Sequence, residues 1–312
     1  MSQSLQVFSG TSNLALAQEI CDFLQIPLGA ASIDRFPNDE LRLRIEQNVR
    51  GADVFVVQSM SEPVDQHIMQ LLIMIDALRR GSADRITAVV PYFAYAKQEK
   101  KTAPREPISA KLVANLLTVA GADRVLTMDL HAAAIEGFFD IPVDHLRGAA
   151  ILADYVRSLG LQNLVVVSPD AGGVARANDF RYRIGASLAI IAKQRLRPDA
   201  VEVIEMVGDV RGRTAVIVDD MISTGGTLLE AADLLRQRGA AAVYMVATHA
   251  ILAGNAAERM RSGILDRAIV TNTIAVPASK RGEALTVLSV APLLGETIRR
   301  IHENMSVSAL FT

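Results

Sequence analysis

Short runs of β-forming residues alternate with helical repeats along the whole chain, and the runs are apolar without interruption. Val54–Gln58, Ile86–Pro91, Val125–Asp129, Leu164–Ser168, Ala215–Asp219 and Val243–Thr248 read as strands. They lack the in-and-out alternation of a strand with one wet face. Continuous apolar runs belong to strands covered on both sides. Between them, Ile68–Arg80, Ser109–Ala120, Ala149–Leu159 and Thr227–Arg238 repeat apolar residues at helical spacing. Strands that alternate with helices of this length imply crossover connections and parallel sheets. The expected class is α/β, doubly wound.

At 312 residues the chain is long for one core and suits two of about 150 residues each. An internal echo supports that division. Arg50-Gly51 leads into a strand ending at Gln58, then a loop, a helix ending at Arg79-Arg80-Gly81, and the strand from Ile86. Arg211-Gly212 leads into a strand ending at Asp219, then a loop, a helix ending at Gln237-Arg238-Gly239, and the strand from Val243. Gly81 and Gly239 stand where a helix end takes a left-handed residue. Two similar domains are expected, 1–147 and 148–312, both with parallel central sheets.

Lys plus Arg total 32 and Asp plus Glu 34, a net charge of −2. Neither nucleic acid nor an anionic membrane surface is expected as a partner on that balance. Aromatics are 4% with no Trp, too few for a base-stacking surface. The one cysteine, Cys21, lies in an apolar helical pattern and reads as a buried small residue. No basic stretch followed by an apolar one opens the chain, and the apolar run Leu71–Leu78 is short and broken by Asp76. A cytoplasmic protein is expected.

The most informative segment runs Val216-Ile217-Val218-Asp219-Asp220-Met221-Ile222-Ser223-Thr224-Gly225-Gly226-Thr227. A buried strand delivers two carboxylates, and a Ser/Thr/Gly loop then opens a helix. Glycines let backbone N–H groups close on an anion, and a helix N-terminus favours negative charge. Thr224 and Thr227 add hydroxyl donors. Carboxylates beside such a cradle repel phosphate but suit hydroxyls or a magnesium-bound sugar. Phosphate at one end and hydroxyls at the other describe a sugar phosphate.

This segment resembles the phosphoribosyl diphosphate loop of phosphoribosyltransferases and ribose-phosphate diphosphokinases. Other stretches choose between the two. Asp129-Leu130-His131, followed by Gly137-Phe138-Phe139-Asp140-Ile141-Pro142-Val143-Asp144, resembles the diphosphokinase signature. Ala134 and Glu136 stand where glutamines are usual. Placed after a strand end, His131 is suited to ligate a metal or to bond a phosphate. The helix His67–Leu78, the stretch Arg105–Lys111, the turn Ser168-Pro169-Asp170-Ala171-Gly172-Gly173 and the end Ser306–Phe311 extend the similarity over nearly the whole chain.

The resemblance implies a phosphoribosyltransferase-like fold in both halves. It also implies an enzyme that transfers the β,γ-diphosphoryl group of Mg-ATP to the 1-hydroxyl of ribose 5-phosphate. It assigns ribose 5-phosphate to Asp219, Asp220, Ser223, Thr224, Gly225, Gly226 and Thr227. ATP falls to Phe36, Asn38, Glu40, Lys97, Gln98 and His131, magnesium to His131 and Asp170, and catalysis to Lys193, Arg195 and His131. An oligomer built from dimers, up to a hexamer, is implied, with the Phe36 loop serving a neighbouring subunit.

Three departures bear on donor choice: Asn38 stands for the usual Asp, Asp39 for Gly, and Lys97 for Arg. Ala103 and Pro104 depart from the family's regulatory loop, and Ser223 from its sugar-phosphate loop. A phosphoribosyltransferase, a silent regulatory relative and a diphosphokinase of altered donor choice are the alternatives.

Overall fold

The computed structural model describes residues 4–194 and 203–310. The chain forms two compact units. One is Met1–Arg147 with Thr273–Ala275 and Ser289–Thr312; the other is Gly148–Asn272 with Val276–Leu288.

The first unit runs β1 (Leu5–Ser9), α1 (Leu14–Leu24), a hairpin of β2 (Ala31–Arg35) and β3 (Leu41–Ile45), β4 (Asp53–Val57), α2 (Val64–Arg80), β5 (Arg85–Val90), α3 (Ser109–Ala120), β6 (Arg124–Met128) and β7 (Val143–Leu146). Five of these strands make a parallel sheet in the order β1-β4-β5-β6-β7. Val54 and Val56 join the core with Leu71 and Leu78 of α2 and Leu117 of α3. Phe55, between them, points to the other face and is equally buried. An uninterrupted apolar run is what two covered faces demand. Cys21 is buried in α1, and burial pushes its thiol up to about 11, so it stays protonated and inert.

The helix end at Gly81 differs from expectation. Gly81 has φ −71, and the left-handed conformation falls on Ser82 at φ 64. Gly81 has a steric reason instead: a Cβ there would come within 2.7 Å of Val49 Cγ2. Gly239 takes φ 85, as its position after a helix requires.

The second unit runs α4 (Ala149–Ser158), β8 (Leu164–Ser168), α5 (Val174–Ile184), β9 (Ser187–Gln194), β10 (Val203–Val207), β11 (Thr214–Ile222), α6 (Gly226–Gln237), β12 (Ala242–Ala250), α7 (Ala256–Met260), β13 (Arg267–Thr271) and β14 (Leu285–Leu288). The sheet order is β10-β9-β8-β11-β12-β13-β14, parallel apart from β10. Alternate residues again serve two cores. Val165, Val167 and Ile217 meet Leu228 and Leu235 of α6. Val166, Val216 and Val218 meet Leu152 and Val156 of α4 and Phe180 of α5. From β8 the chain goes to β9 on one side, then returns to β11 on the other. That reversal opens a crevice at the carboxyl ends of β8 and β11.

The closing helix, α8 (Ala291–His302), packs against α1 in the first unit. Residues 289–312, expected with the second half, thus belong to the first unit. Leu294, Ile298 and Ile301 bury one face of α8, and its end is tied to the first sheet. Asp53, fully buried at the start of β4, takes Arg85 Nε at 2.8 Å and Nη2 at 2.6 Å. His302 Nδ1 lies 2.8 Å from the same carboxylate, and Arg85 also donates to the Ile301 carbonyl at 2.9 Å. Among the described residues, no helix is long and apolar enough to cross a membrane.

Candidate active site

In the second unit, the neighbouring strands β8 and β11 each end in a loop that opens a helix. β11 runs to Ile222, three residues past the expected end, because β12 pairs with it as far as Ile222↔Ala250. Asp219 and Asp220 therefore sit inside the strand. The loop then reaches Gly225, whose φ of 72 turns the chain into α6. That left-handed conformation suits glycine. Gly225, the N-cap of α6, makes no side-chain capping hydrogen bond, and the first amide groups of such a helix suit an anion. Ser223, Thr224, Gly226 and Thr227 lie on this loop and first turn.

Asp220 is 2% exposed and Asp219 lies beside it, its Oδ1 accepting the Asp220 N–H at 2.8 Å. Burial raises the Asp219 carboxyl to about 7, the Asp220 carboxylate adds to the rise, and Arg176 opposes it. Arg176 Nη1 stands 2.7 Å from Asp219 Oδ1 and 3.6 Å from Asp220 Oδ1. This arginine comes from the first turn of α5, just after the turn that carries Asp170. There, Asp170 Oδ1 accepts the Gly173 N–H at 2.8 Å, and Ser168 Oγ donates to the Asp170 carbonyl at 2.7 Å. Asp170 is exposed. The crevice thus combines an anion cradle, an acid pair with its counter-charge, and a separate exposed carboxylate.

Lys193 lies within β9, its backbone paired with Ile204 of β10. The strand is longer than the expected Leu188–Ile191. Arg195 lies outside the described residues.

In the first unit, β5 and β6 are neighbours, and each is followed at its carboxyl end by candidate residues. Lys97 and Gln98 lie in the turn after β5, both exposed. Gln98 accepts a hydrogen bond from Ser109 Oγ at 2.6 Å, which ties the turn to the start of α3. His131 follows β6 and is exposed. Phe36, Asn38 and Glu40 belong to a different sheet, at the tip of the β2–β3 hairpin. Asp39 has φ 69, which explains why glycine is usual there; aspartate is among the few other residues that adopt it readily. The Asn38 side chain accepts the Glu40 N–H at 3.4 Å, and Arg42 lies 5.8 Å from the centre of the Phe36 ring. A groove of about 720 Å³ between this hairpin and α2 is lined in part by Arg35, Asp39, Glu40, Asp65 and Gln70.

The donor set suits magnesium. Among the described residues, no three or more His, Cys, Asp or Glu side chains form a metal cage. Magnesium needs none, since it takes one or two carboxylates and completes its shell with water and substrate phosphates. Asp170 on its turn offers such a carboxylate.

Arg176 was not among the expected residues, nor were His145 and Arg147, which contact Glu136. Arg176 lies three residues past Gly173, in the first turn of α5, and only the pairing of β8 with β11 brings it to Asp219.

A largely parallel sheet with a glycine turn and an acid pair at its switch point defines an α/β protein of the phosphoribosyltransferase-like type. Residues 5–121 match the model of the N-terminal domain of ribose phosphate pyrophosphokinase, and residues 194–312 match the phosphoribosyl synthetase-associated domain. A ribose-phosphate pyrophosphokinase from Nostoc sp. is 54% identical over 308 residues, covering 98% of this chain and 93% of that one. One from Bacillus cereus is 50% identical over 311 residues, covering 100% and 98%. The crystal structure of phosphoribosylpyrophosphate synthetase from Mycobacterium smegmatis superposes with a TM-score of 0.92 at 45% identity, covering 97% of this chain and 100% of that one. The chain belongs to the ribose-phosphate pyrophosphokinase family.

Proposed function

We infer that this enzyme transfers the β,γ-diphosphoryl group of ATP to the 1-hydroxyl of ribose 5-phosphate, giving 5-phosphoribosyl 1-diphosphate and AMP. The observation that carries this reading is the pairing of a glycine-led helix N-terminus with two carboxylates near the end of the strand before it. It occurs in a chain alike over its whole length to enzymes named for ribose phosphate.

Ser223 to Thr227 hold the 5-phosphate. Asp219 and Asp220 hold the ribose hydroxyls, with Arg176 balancing their charge. Lys97, Gln98 and His131 bind the triphosphate, and Phe36, Asn38 and Glu40 meet the adenine. His131 and Asp170 would each offer magnesium a ligand, and the bound ion would supply positive charge to offset that of the phosphates. Lys193 and Arg195 stabilise charge on the group in transfer. Such a reaction depends on positioning and charge neutralisation more than on a strong base. The hairpin tip, placed on its own sheet, fits a role in a neighbouring subunit's site and hence a dimer-based oligomer, up to a hexamer.

A second reading concerns the donor. Asn38 spends its side-chain oxygen inside the turn, and Lys97 offers a point charge where arginine would offer a fork. The test is AMP, GMP or CMP release from ATP, GTP or CTP with ribose 5-phosphate and magnesium. ATP should be used at least about tenfold better than the others, a margin of about 1.4 kcal/mol. Equal use would mean a relaxed donor site, and no release from any would overturn the enzyme reading.

A further inference from the structure

His145 is buried in β7, and both of its ring nitrogens are engaged. Nε2 lies 2.8 Å from the Leu130 backbone nitrogen and 3.0 Å from Arg147 Nη1. Both of those groups can only donate, so Nε2 carries the lone pair. Nδ1 therefore carries the proton and donates it to Glu136 Oε1, in the 3-10 turn Ala133–Phe138. The partners settle the tautomer.

The location gives this pair its meaning. The last rung between β6 and β7 runs from the Asp129 N–H to the Leu146 carbonyl at 3.0 Å. Asp129 then takes φ 37, and the chain turns out of the sheet. Leu130, the next residue, is 4% exposed. A buried amide beyond the end of a ladder needs an acceptor, and His145 supplies it. His131 follows directly.

We propose that His145 and Glu136 form a positioning pair for His131. His145 holds the Leu130 amide, and so the turn that presents His131; Glu136 keeps His145 in the tautomer able to do this. The proposal rests on the reading of His131 as an ATP- and magnesium-side residue. Glu136, Arg147 and Asp129 are the charged groups facing the ring. Burial lowers the proton affinity of His145, against the pull of Glu136. A second proton on Nε2 would set a donor against two donors and release the turn.

The test uses the full chain and two readouts: hydrogen exchange in peptides covering Leu130, and steady-state kinetics. His145→Leu should speed Leu130 exchange and lower kcat by about tenfold or more, with the KM for ribose 5-phosphate within about twofold. His145→Gln keeps an acceptor at the Nε2 position, and Glu136→Gln keeps one for Nδ1–H; both should stay near wild type. Should His145→Leu fail to fold, Glu136→Ala at a side chain 43% exposed reads the same point. Slow Leu130 exchange and unchanged kcat in a folded His145→Leu or Glu136→Ala protein would overturn the proposal. So would faster exchange without loss of kcat, which marks a merely structural bond. A wild-type protein that makes no AMP would sink the diphosphokinase reading, while Leu130 exchange would still test the latch.

Discussion

At Asp219, burial and the neighbouring Asp220 work against ionisation, and Arg176 works for it. An aspartate in an unfolded chain titrates near 3.9, whereas Asp219 titrates at about 7 in the folded protein. Between about pH 4 and 7 the folded state therefore holds a proton that the unfolded state has lost, so this group makes the protein more stable as pH falls through that window. Urea unfolding of wild type and Asp219→Asn at pH 5 and pH 7 should show the difference. Wild type should gain on the variant as pH drops, by up to about 1.4 kcal/mol per pH unit. Parallel behaviour of the two would mean that Arg176 keeps Asp219 ionised throughout. The acid pair and the Ser/Thr/Gly loop were legible in the sequence because their chemistry is contiguous. Arg176 was not, because its role depends on β8 lying beside β11, a pairing that no local pattern states.

Among the elements, strands were legible because two covered faces leave an unbroken apolar run, as Val54, Phe55 and Val56 show. Their ends were less so. β11 and β9 run past their expected ends because β12 and β10 pair with them there, and pairing is a property of neighbours. The placement of α8 was also hidden. Its apolar stripe could cover any sheet, and the deciding contact, from Asp53 to Arg85 and His302, joins residues far apart in sequence. That contact can be weighed. Asp53→Ala removes a fully buried carboxylate and strands Arg85 beside the end of α8. A loss of about 3 kcal/mol in unfolding free energy is expected, measured by denaturant titration with the end of α8 exchanging hydrogen first. A loss below about 1 kcal/mol would mean that water already satisfies Arg85.

At the scale of the whole molecule, two parallel sheets each present candidate residues at their carboxyl ends. The first carries Lys97, Gln98 and His131 and the second carries Asp170, Asp219, Asp220 and the Gly225 turn. The echo between Arg50–Pro91 and Arg211–Thr248 was visible in sequence and corresponds to the adjacent parallel pairs β4–β5 and β11–β12. The division of chemistry between the sheets was legible only through the family resemblance, since an exposed histidine or lysine after a strand has no intrinsic signature. The central claim is that a diphosphoryl group, and not a single phosphoryl group, leaves ATP. A phosphorus NMR time course of the full protein with ATP, ribose 5-phosphate and magnesium tests it directly. ATP should be replaced one for one by AMP and 5-phosphoribosyl 1-diphosphate. Formation of ADP with a ribose bisphosphate, or persistence of ATP, would contradict it.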